Sequence, residues 1–238
     1  MTEQTRRAAH AVLIASGGMD SAVAAYVLRD RGTAVTMLSF DYGQRHRVEL
    51  AYAAKIAELL DVPHEIVDLA GVGGLLGGSA LTDHTVPVPD GHYSDETMRS
   101  TVVPNRNMIM LSVAAGVAVS RNADCVAYGA HAGDHAVYPD CRPEFYRQVD
   151  LAIRAGNDGF LAAGFRLEAP FLEVTKADIV RRGQALGVPF SLTWSCYKGG
   201  IVHCGTCGTC VERREAFALA GLDDPTEYAA AAGPEAVA

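Results

Sequence analysis

Short apolar runs alternate with segments of helical periodicity along most of the chain. Apolar runs of strand length are found at residues 11–15, 34–40 and 125–128, and two further short strands are predicted at residues 64–68 and 166–169. Apolar positions at helical spacing predict helices over residues 22–31, 47–60, 105–120, 143–155 and 176–186. Because strands that alternate with helices form a parallel sheet wrapped by helices, the pattern predicts an α/β fold with helices on both faces of the sheet.

Two segments depart from this alternation. Residues 70–104 contain two glycine pairs and little periodicity, which predicts a long loop of the kind that acts as a lid or binding segment. Disorder remains an alternative for residues 71–82. The last ten or so residues, rich in alanine and containing Gly233 and Pro234, are predicted to form a frayed tail.

Composition narrows the class of protein. A chain of 238 residues fits one large domain or one domain with a small appendage. The formal net charge of −8 weighs against a basic surface that grips nucleic acid, so a small-molecule substrate is favoured. Neither a membrane-spanning run nor a signal peptide is apparent, which predicts a soluble, cytoplasmic protein.

A glycine-rich turn, Ser-Gly-Gly-Met-Asp-Ser at residues 16–21, connects the first predicted strand to the first helix. Backbone N–H groups and the positive end of a helix dipole meet there, which suits a bound phosphate. The turn has neither the Lys-Ser/Thr of a Walker loop nor the G-x-G-x-x-G of a dinucleotide-binding loop. It resembles instead the pyrophosphate-binding loop of the PP-loop ATPases, which cleave ATP between the α- and β-phosphates. An ordinary strand-to-helix turn is the alternative.

Four cysteines lie close together near the C-terminus, separated by seven, two and two residues: Cys196, Cys204, Cys207 and Cys210. Four thiolates make a closed tetrahedral zinc site, which is structural rather than catalytic. An iron–sulfur cluster is the main alternative, and His203 is placed outside the ligand set. These ligands define a predicted zinc-binding segment, residues 194–238, packed on an α/β domain of residues 1–193.

The other two cysteines are separate cases. Cys125 lies in an apolar strand and is interpreted as a small buried core residue. Cys141 lies in a polar segment near the predicted ligand side of the sheet, and a nucleophilic role for it is a minor hypothesis.

Further motifs follow the glycine-rich turn in order. These are Phe-Asp-Tyr-Gly-Gln-Arg-His at residues 40–46, Val-Pro-Asn-Arg-Asn at 103–107, Tyr-Pro-Asp-Cys-Arg at 138–142 and the cysteine cluster. Taken together, they resemble the 7-cyano-7-deazaguanine synthase family, whose enzymes supply the nitrile-bearing base of queuosine. The resemblance covers residues 13–211 and implies a PP-loop fold of the adenine nucleotide alpha hydrolase type, and a homodimer.

The resemblance implies a ligase with three substrates: 7-carboxy-7-deazaguanine, ammonium and ATP with Mg²⁺. ATP adenylates the carboxylate, ammonia displaces AMP to give an amide, and a second adenylation turns the amide into a nitrile. Free ammonium is the expected donor, because no amidotransferase domain is seen. The alternatives are a ligase that stops at the amide or transfers the activated base to another amine, a nucleotide sensor without turnover, and a tRNA thiolase.

The resemblance also implies roles for particular residues. Asp20 positions magnesium, and Arg106 and Lys176 act on phosphate or carboxylate charge, since a guanidinium binds either in bidentate fashion. The predicted ATP-binding residues are Ala15, Ser16, Gly17, Gly18, Met19, Asp20, Ser21 and Phe40. The predicted substrate-binding residues are Gln44, Arg45, Asp134, Tyr138, Asp140 and Arg142. Each role has a structural alternative. Lys176 could lie on the surface, Phe40 and Tyr138 could belong to the core, and residues 44–46 could form a solvated helix start.

Overall fold

The protein is described by a computed structural model that covers residues 8–92, 98–136 and 138–229. From residue 230 on, the predicted frayed tail lies outside the described residues. The strands are β1 His10–Ile14, β2 Ala34–Asp41, β3 His64–Asp68, β4 Cys125–Ala127 and β5 Arg166–Glu168. The helices are α1 Met19–Asp30, α2 Glu49–Leu60, α3 Ala70–Gly73, α4 Arg106–Ser120, α5 Pro143–Gly156, α6 Lys176–Ala185 and α7 Gly208–Ala220.

The five strands form one sheet in the order β3-β2-β1-β4-β5, and every pair is parallel. Strand β1 is central: Ala11 pairs with Val35 of β2 on one side and with Cys125 of β4 on the other. The chain therefore leaves β1 toward β2 on one side and reaches β4 on the other. In open parallel sheets such a reversal opens a crevice beyond the carboxyl ends of the strands, where ligands bind.

Alternate residues along the central strands pack into two separate hydrophobic cores, one on each face of the sheet. Leu13 and Met37 point to the face covered by α1, α2, α6 and α7. Their neighbours Val12 and Leu38 point to the opposite face, covered by α4 and α5. This period of two, with apolar residues on both sides, is what a sheet buried on both faces requires. The predicted α/β architecture with helices on both faces is confirmed.

Two helices begin at different residues from those predicted. Helix α1 begins at Met19 rather than at residue 22, because the extended backbone of Gly18 (ψ 165°) forms its N-cap. The last three residues of the glycine-rich turn are thus the first helical turn. Helix α2 begins at Glu49 rather than at residue 47, since residues 44–48 form tight turns in which Arg47 N–H donates to Gln44 O.

The described residues between 70 and 104 are mostly irregular, as predicted, but part of this loop is packed. Ser79, Ala80 and Leu81 are fully buried. The Arg45 guanidinium holds the loop by donating to the carbonyl oxygens of Ala80, Asp83 and Val86 at 2.9–3.2 Å. Burial of residues 79–81 argues against disorder in that part of the loop, which the sequence had left open.

Helix α7 was not predicted. Its fully buried Arg213 breaks the apolar periodicity by which a packed helix is recognised. The Arg213 guanidinium donates to Asp224 Oδ1 at 3.1 Å, to Thr193 Oγ1 at 2.7 Å and to Phe190 O at 3.0 Å. A buried charge is tolerated when it is paired and hydrogen-bonded in this way. Within the described ranges, all helices are too short or too polar to cross a membrane.

Candidate active site and metal centre

A cavity of about 210 Å³ opens at the carboxyl ends of the central strands. Its wall combines the glycine-rich turn after β1, the end of β2, the start of α4 and the segment after β4. Ten of the predicted site residues line it: Ala15, Ser16, Gly18, Met19, Asp20, Ser21, Phe40, Arg106, Asp134 and Lys176. Residues far apart in the sequence are thus brought to one site.

The glycine-rich turn is braced by its own hydroxyl groups. Gly18 N–H donates to Ser16 Oγ at 3.2 Å, and Ser21 Oγ donates to Gly18 O at 3.0 Å. Gly17 has φ +82°, and a Cβ there would lie 2.1 Å from Glu49 O. Only glycine therefore lets α2 pack this closely on the turn. The turn presents the N-terminus of α1 to the cavity, as an anion site requires.

Lys176 reaches the same end of the cavity from the start of α6. Thr175 and Asp178 form a capping box that fixes this helix start. The Lys176 ammonium lies 2.6 Å from Glu212 Oε2 and 3.5 Å from Asp20 Oδ2. Burial lowers the pKa of Lys176, but the carboxylates of Asp20 and Glu212 outweigh it and hold the pKa above its ordinary value. Lys176 is a fixed positive charge beside the glycine-rich turn.

Asp20, His131 and Asp134 form a second polar group next to Lys176. His131 Nε2 lies 3.8 Å from Asp20 Oδ2 and 3.5 Å from Asp134 Oδ2. Its Nδ1 accepts from Gly133 N–H at 3.1 Å, so Nε2 carries the ring's proton when the imidazole is neutral. Burial raises the pKa of Asp134. The other oxygen of Asp20, Oδ1, is buried without a protein partner among the described residues. An unpaired carboxylate oxygen beside an anion loop suits a magnesium ligand.

Arg106 is a second positive charge on the cavity wall, close to Tyr42 and Glu49. Burial lowers its pKa, but electrostatic interactions with Tyr42, Tyr197 and Asp140 outweigh burial and hold the pKa above its ordinary value, so the guanidinium stays ionised. Burial raises the pKa of the Tyr42 phenol to about 12 even though Arg106 lowers it. The phenol is therefore a neutral hydrogen-bond partner rather than an anion at neutral pH.

Glu49 lies on the same cavity wall and interacts with Arg106. Gln44 Nε2 donates to Glu49 Oε1 at 3.1 Å, and His46 Nε2 lies 3.5 Å from the same oxygen. Burial raises the pKa of Glu49 to about 8, although the Gln44 hydrogen bond and the Arg106 charge lower it. Burial lowers the pKa of His46 to about 3, which leaves the imidazole neutral. One cavity wall therefore holds the phosphate-suited turn and, packed beside it, Arg106 and a carboxyl group of raised pKa.

Several predicted substrate-binding residues lie behind the cavity wall rather than on it. The Gln44 side chain bonds to Glu49, to Phe40 O at 2.9 Å and to Tyr42 N–H at 2.9 Å. Arg45 points away into the loop of residues 79–86. Both residues organise the segment that carries Glu49, and their substrate contacts stay a prediction.

The Tyr-Pro-Asp-Cys-Arg motif has a similar supporting position. Tyr138 and Thr101 share a hydroxyl–hydroxyl hydrogen bond at 2.9 Å, and Asp140 Oδ2 accepts from the N–H of Asn107 at 3.3 Å. Arg142 donates to His135 O at 2.7 Å. These contacts join the motif to the start of α4, beside Arg106, and direct substrate binding by Tyr138, Asp140 and Arg142 remains a prediction.

Sequence reasoning assigned no role to several residues that belong to the site. Tyr42 and His46 lie inside the motif at 40–46, and Glu49 follows it by three residues, so proximity to the motif was the available signal. Glu212 lies on the unpredicted helix α7, and nothing in its sequence context pointed to Lys176. Further polar and aromatic residues on the cavity wall include Asn107, Tyr128, Trp194, Ser195, Tyr197 and Thr209.

The four clustered cysteines converge on one point, with all four Sγ atoms within 4.8 Å of one another. Backbone N–H groups of Thr206 and Cys207 donate to Cys204 Sγ at 3.4 and 3.2 Å. Such bonds stabilise thiolates, and four thiolates around one point fit a tetrahedral metal site. His203 lies outside the set, because its Nε2 accepts from Ser195 N–H at 3.0 Å. The predicted convergence of the four cysteines, in an arrangement that could hold a metal ion, is confirmed.

Cys125 and Cys141 are not part of the cluster. Cys125 is fully buried in β4, as predicted for a core residue. Cys141 is buried on the cavity wall, where Asn107 Nδ2 donates to its Sγ at 3.4 Å. Burial raises the pKa of the Cys141 thiol, which disfavours the thiolate that a nucleophile needs.

Comparison with known proteins adds a family to this geometry. The family model described as "Queuosine biosynthesis protein QueC" matches residues 10–221. A protein of Rhizobium etli named 7-cyano-7-deazaguanine synthase is 56% identical over 217 residues, 91% of each chain. One of the same name from Ruegeria is 54% identical over 218 residues, 92% of each chain.

Among solved structures, the U34-tRNA thiolase NcsA from Methanococcus maripaludis, with its [4Fe-4S] cluster, superposes with a TM-score of 0.51 at 15% identity. The match covers 91% of this chain and 66% of that structure's chain. At this level of identity the likeness concerns the fold alone, and it agrees with the predicted PP-loop type of α/β fold.

Proposed function

Because the chain belongs to the queuosine biosynthesis QueC family, we propose that it converts 7-carboxy-7-deazaguanine and ammonia to 7-cyano-7-deazaguanine, with ATP cleaved to AMP and pyrophosphate. The observation that carries the proposal is that the glycine-rich turn, Lys176 and Arg106 line one cavity. Identity of 56% to a protein named for this product supports the choice of substrate. The reaction class is a ligase that forms a carbon–nitrogen bond.

The chemistry explains why such a cavity needs a phosphate site. A carboxylate is a poor electrophile, because oxide is a bad leaving group. Attack of the carboxylate on the α-phosphate of ATP releases pyrophosphate and gives an acyl adenylate. Ammonia then forms the carbon–nitrogen bond, and AMP leaves with the electron pair of the broken carbon–oxygen bond. Adenylation of the amide oxygen by a second ATP, followed by loss of AMP and the nitrogen-bound protons, gives the nitrile.

The proposed roles follow from where the charges lie. Backbone N–H groups of residues 16–21 and the N-terminus of α1 receive the leaving pyrophosphate. Lys176, held between Asp20 and Glu212, adds a positive charge that is oriented before the reaction begins. Arg106 binds the substrate carboxylate, which its bidentate guanidinium suits. Phe40 and Ala15 line the path for the nucleotide.

Two metal ions belong to the proposal. Mg²⁺ fits beside the turn, where Asp20 Oδ1 has no hydrogen-bond partner in the described part of the chain and Asp134 is close by. When bound, Mg²⁺ would neutralise phosphate charge. A structural Zn²⁺ fits the four cysteines, whose Sγ atoms already lie within 4.8 Å of one another. Four thiolates leave no open coordination position, so this ion stabilises the segment rather than the reaction.

Three further features are proposed from the family resemblance and composition. The chain is expected to act as a homodimer in the cytoplasm, without direct contact with nucleic acid. The zinc segment, residues 194–238, is expected to be an appendage of the domain formed by residues 1–193. Its packing supports this, since Trp194 N–H donates to Gly17 O at 2.9 Å.

The test is incubation of the purified protein with 7-carboxy-7-deazaguanine, ammonium and ATP-Mg. The proposal predicts the nitrile together with AMP and pyrophosphate, identified by mass. An amide as the final product would favour the ligase that stops one step earlier. ADP as the nucleotide product would refute the proposed cleavage of ATP.

A further inference from the structure

One carboxyl group on the cavity wall has no part in the phosphate chemistry described above. Glu49 is the first residue of α2, and its side chain keeps 10% of its surface exposed on the cavity wall. Its Oε1 accepts from Gln44 Nε2, while the Gln44 amide is itself bonded to Phe40 O and Tyr42 N–H. These bonds hold the carboxyl group in a fixed orientation before any substrate arrives.

The polar groups around Glu49 come from three segments. His46 and Gln44 belong to the turns before α2, Tyr42 follows β2, and Arg106 begins α4. Behind them, the His46 ring packs on the Tyr197 ring with centroids 4.9 Å apart. His46 is a poor base because burial lowers its pKa to about 3, and burial raises the pKa of the Tyr42 and Tyr197 phenols. Asp140 also interacts with Arg106 but does not line the cavity. Among the described cavity-lining groups beside Arg106, Glu49 is the one suited to accept a proton near neutral pH.

We propose that Glu49 is the base that deprotonates ammonium before the nitrogen attacks the acyl adenylate. The inference rests on the proposed function, because it concerns the same cavity and reaction. Ammonium has no lone pair, so a proton must leave it before a carbon–nitrogen bond can form. The Arg106 charge acts on both Glu49 and His46, so Arg106 and Glu49 are close together. If Arg106 binds the substrate carboxylate as proposed, Glu49 lies beside the carbon that ammonia attacks.

The step balances without a further reactant. The Glu49 carboxylate takes one proton from ammonium and becomes a neutral carboxylic acid, leaving ammonia. The nitrogen lone pair then forms the bond to the acyl carbon, and the carbon–oxygen bond to AMP breaks with its electron pair on AMP. A second proton leaves the nitrogen for water, and Glu49 returns its own proton to water. The products are the amide, AMP and two protons.

The protonation equilibrium of Glu49 suits this task. Burial raises its pKa to about 8, nearer to that of ammonium than an ordinary carboxyl pKa. A base works best when its pKa lies near the operating pH. The other buried carboxyl group of raised pKa, Asp134, faces His131, Lys176 and Glu212 beside the phosphate-suited turn, where it fits magnesium better than ammonium.

The test compares Glu49→Gln with Glu58→Gln, a matched carboxylate-to-amide change at an exposed position of the same helix. Hydroxylamine serves as the second nucleophile, because it is already unprotonated at neutral pH and needs no base. With ammonium, E49Q should form the amide at least roughly 10²-fold more slowly than the wild type and E58Q. With hydroxylamine, all three should form the hydroxamate at similar rates.

Adenylation is measured separately as pyrophosphate released in a single turnover without ammonium. E49Q should retain this release, and its deficit with ammonium should narrow above pH 8, where free ammonia accumulates. The inference would be overturned if E49Q lost the same factor in rate with ammonium and with hydroxylamine. It would also be overturned if E49Q, but not E58Q, lost pyrophosphate release. A third contradicting result is a rate defect specific to ammonium in Asp134→Asn that is absent from E49Q. No substrate-dependent pyrophosphate from the wild type would refute the proposed function instead. If E49Q does not fold, Glu49→Asp, which keeps a carboxyl group, replaces it. The rate of amide formation with ammonium, divided by the rate with hydroxylamine, should then stay measurable in E49D. Loss of the ammonium reaction in E49D would count against the inference.

Discussion

The raised pKa of Glu49 makes a prediction about stability that is independent of catalysis. In the folded protein this carboxyl group has a pKa of about 8, against an ordinary value of 4.5. At roughly 1.4 kcal/mol per pKa unit, holding the ionised form in the native cavity costs about 5 kcal/mol. Glu49→Gln keeps the size of the side chain and an oxygen for the Gln44 hydrogen bond, and removes this cost.

The sign follows from which state binds the proton. Below pH 4.5 Glu49 is protonated in both states, so it adds no pH dependence. Between pH 4.5 and about 8 the unfolded chain has released the proton while the native state retains it, so stability falls as pH rises. Above pH 8 the full cost is present and changes no further. The wild type should therefore lose stability over this window relative to E49Q, by up to about 5 kcal/mol.

The assay is urea unfolding of the wild type and E49Q at pH 5.5, 7 and 8.5, with zinc present throughout. Subtracting the two free energies of unfolding at each pH removes every titrating group that the proteins share. The difference should grow in favour of E49Q from pH 5.5 to 8.5, while E58Q should follow the wild type. Parallel pH curves for the wild type and E49Q would refute the placement of Glu49 in a desolvated site.

Three further predictions follow from the site. Gly17→Ala should lower the free energy of unfolding by more than about 2 kcal/mol and abolish activity, because its Cβ would meet Glu49 O at 2.1 Å. The control Gly32→Ala has a similar φ of +78° but open space around it, and it should lower the free energy of urea unfolding by only about 1 kcal/mol. Lys176→Met should lower turnover by roughly 10²-fold or more in steady-state assays, since it removes a preorganised charge; full turnover would contradict its role. Cys204→Ser should reduce bound zinc, measured by elemental analysis, and lower the melting temperature, whereas Cys125→Ala should keep one zinc per chain.

Much of the fold was predictable because its signals are local. Strand β1 and the turn after it are indicated by adjacent residues, an apolar run followed by Ser-Gly-Gly-Met-Asp-Ser. The same holds for the capping of α6 by Thr175, which the structure shows as a complete capping box. The helix start at Met19 was missed because extended backbone at Gly18 sets it, and glycine permits many backbone conformations.

The chemistry of the site was less predictable, because it depends on burial and on contacts between distant segments. An arginine in the middle of an amphipathic helix usually points to solvent, yet Arg213 is fully buried through bonds to Asp224, Thr193 and Phe190. Glu212, on the same helix, meets Lys176 across 36 residues of sequence. The Arg45 guanidinium holds a loop about 40 residues away in sequence, which its motif did not indicate, and its predicted substrate contact stays a prediction.

The central claim is that this cavity adenylates a deazaguanine carboxylate and delivers nitrogen to it. The most direct measurement is mass analysis of the base and nucleotide products formed from 7-carboxy-7-deazaguanine, ¹⁵N-ammonium and ATP-Mg. We expect 7-cyano-7-deazaguanine that carries ¹⁵N in its nitrile, with AMP and pyrophosphate as the nucleotide products. Unchanged carboxylate together with intact ATP, or ADP and phosphate in place of AMP, would contradict it.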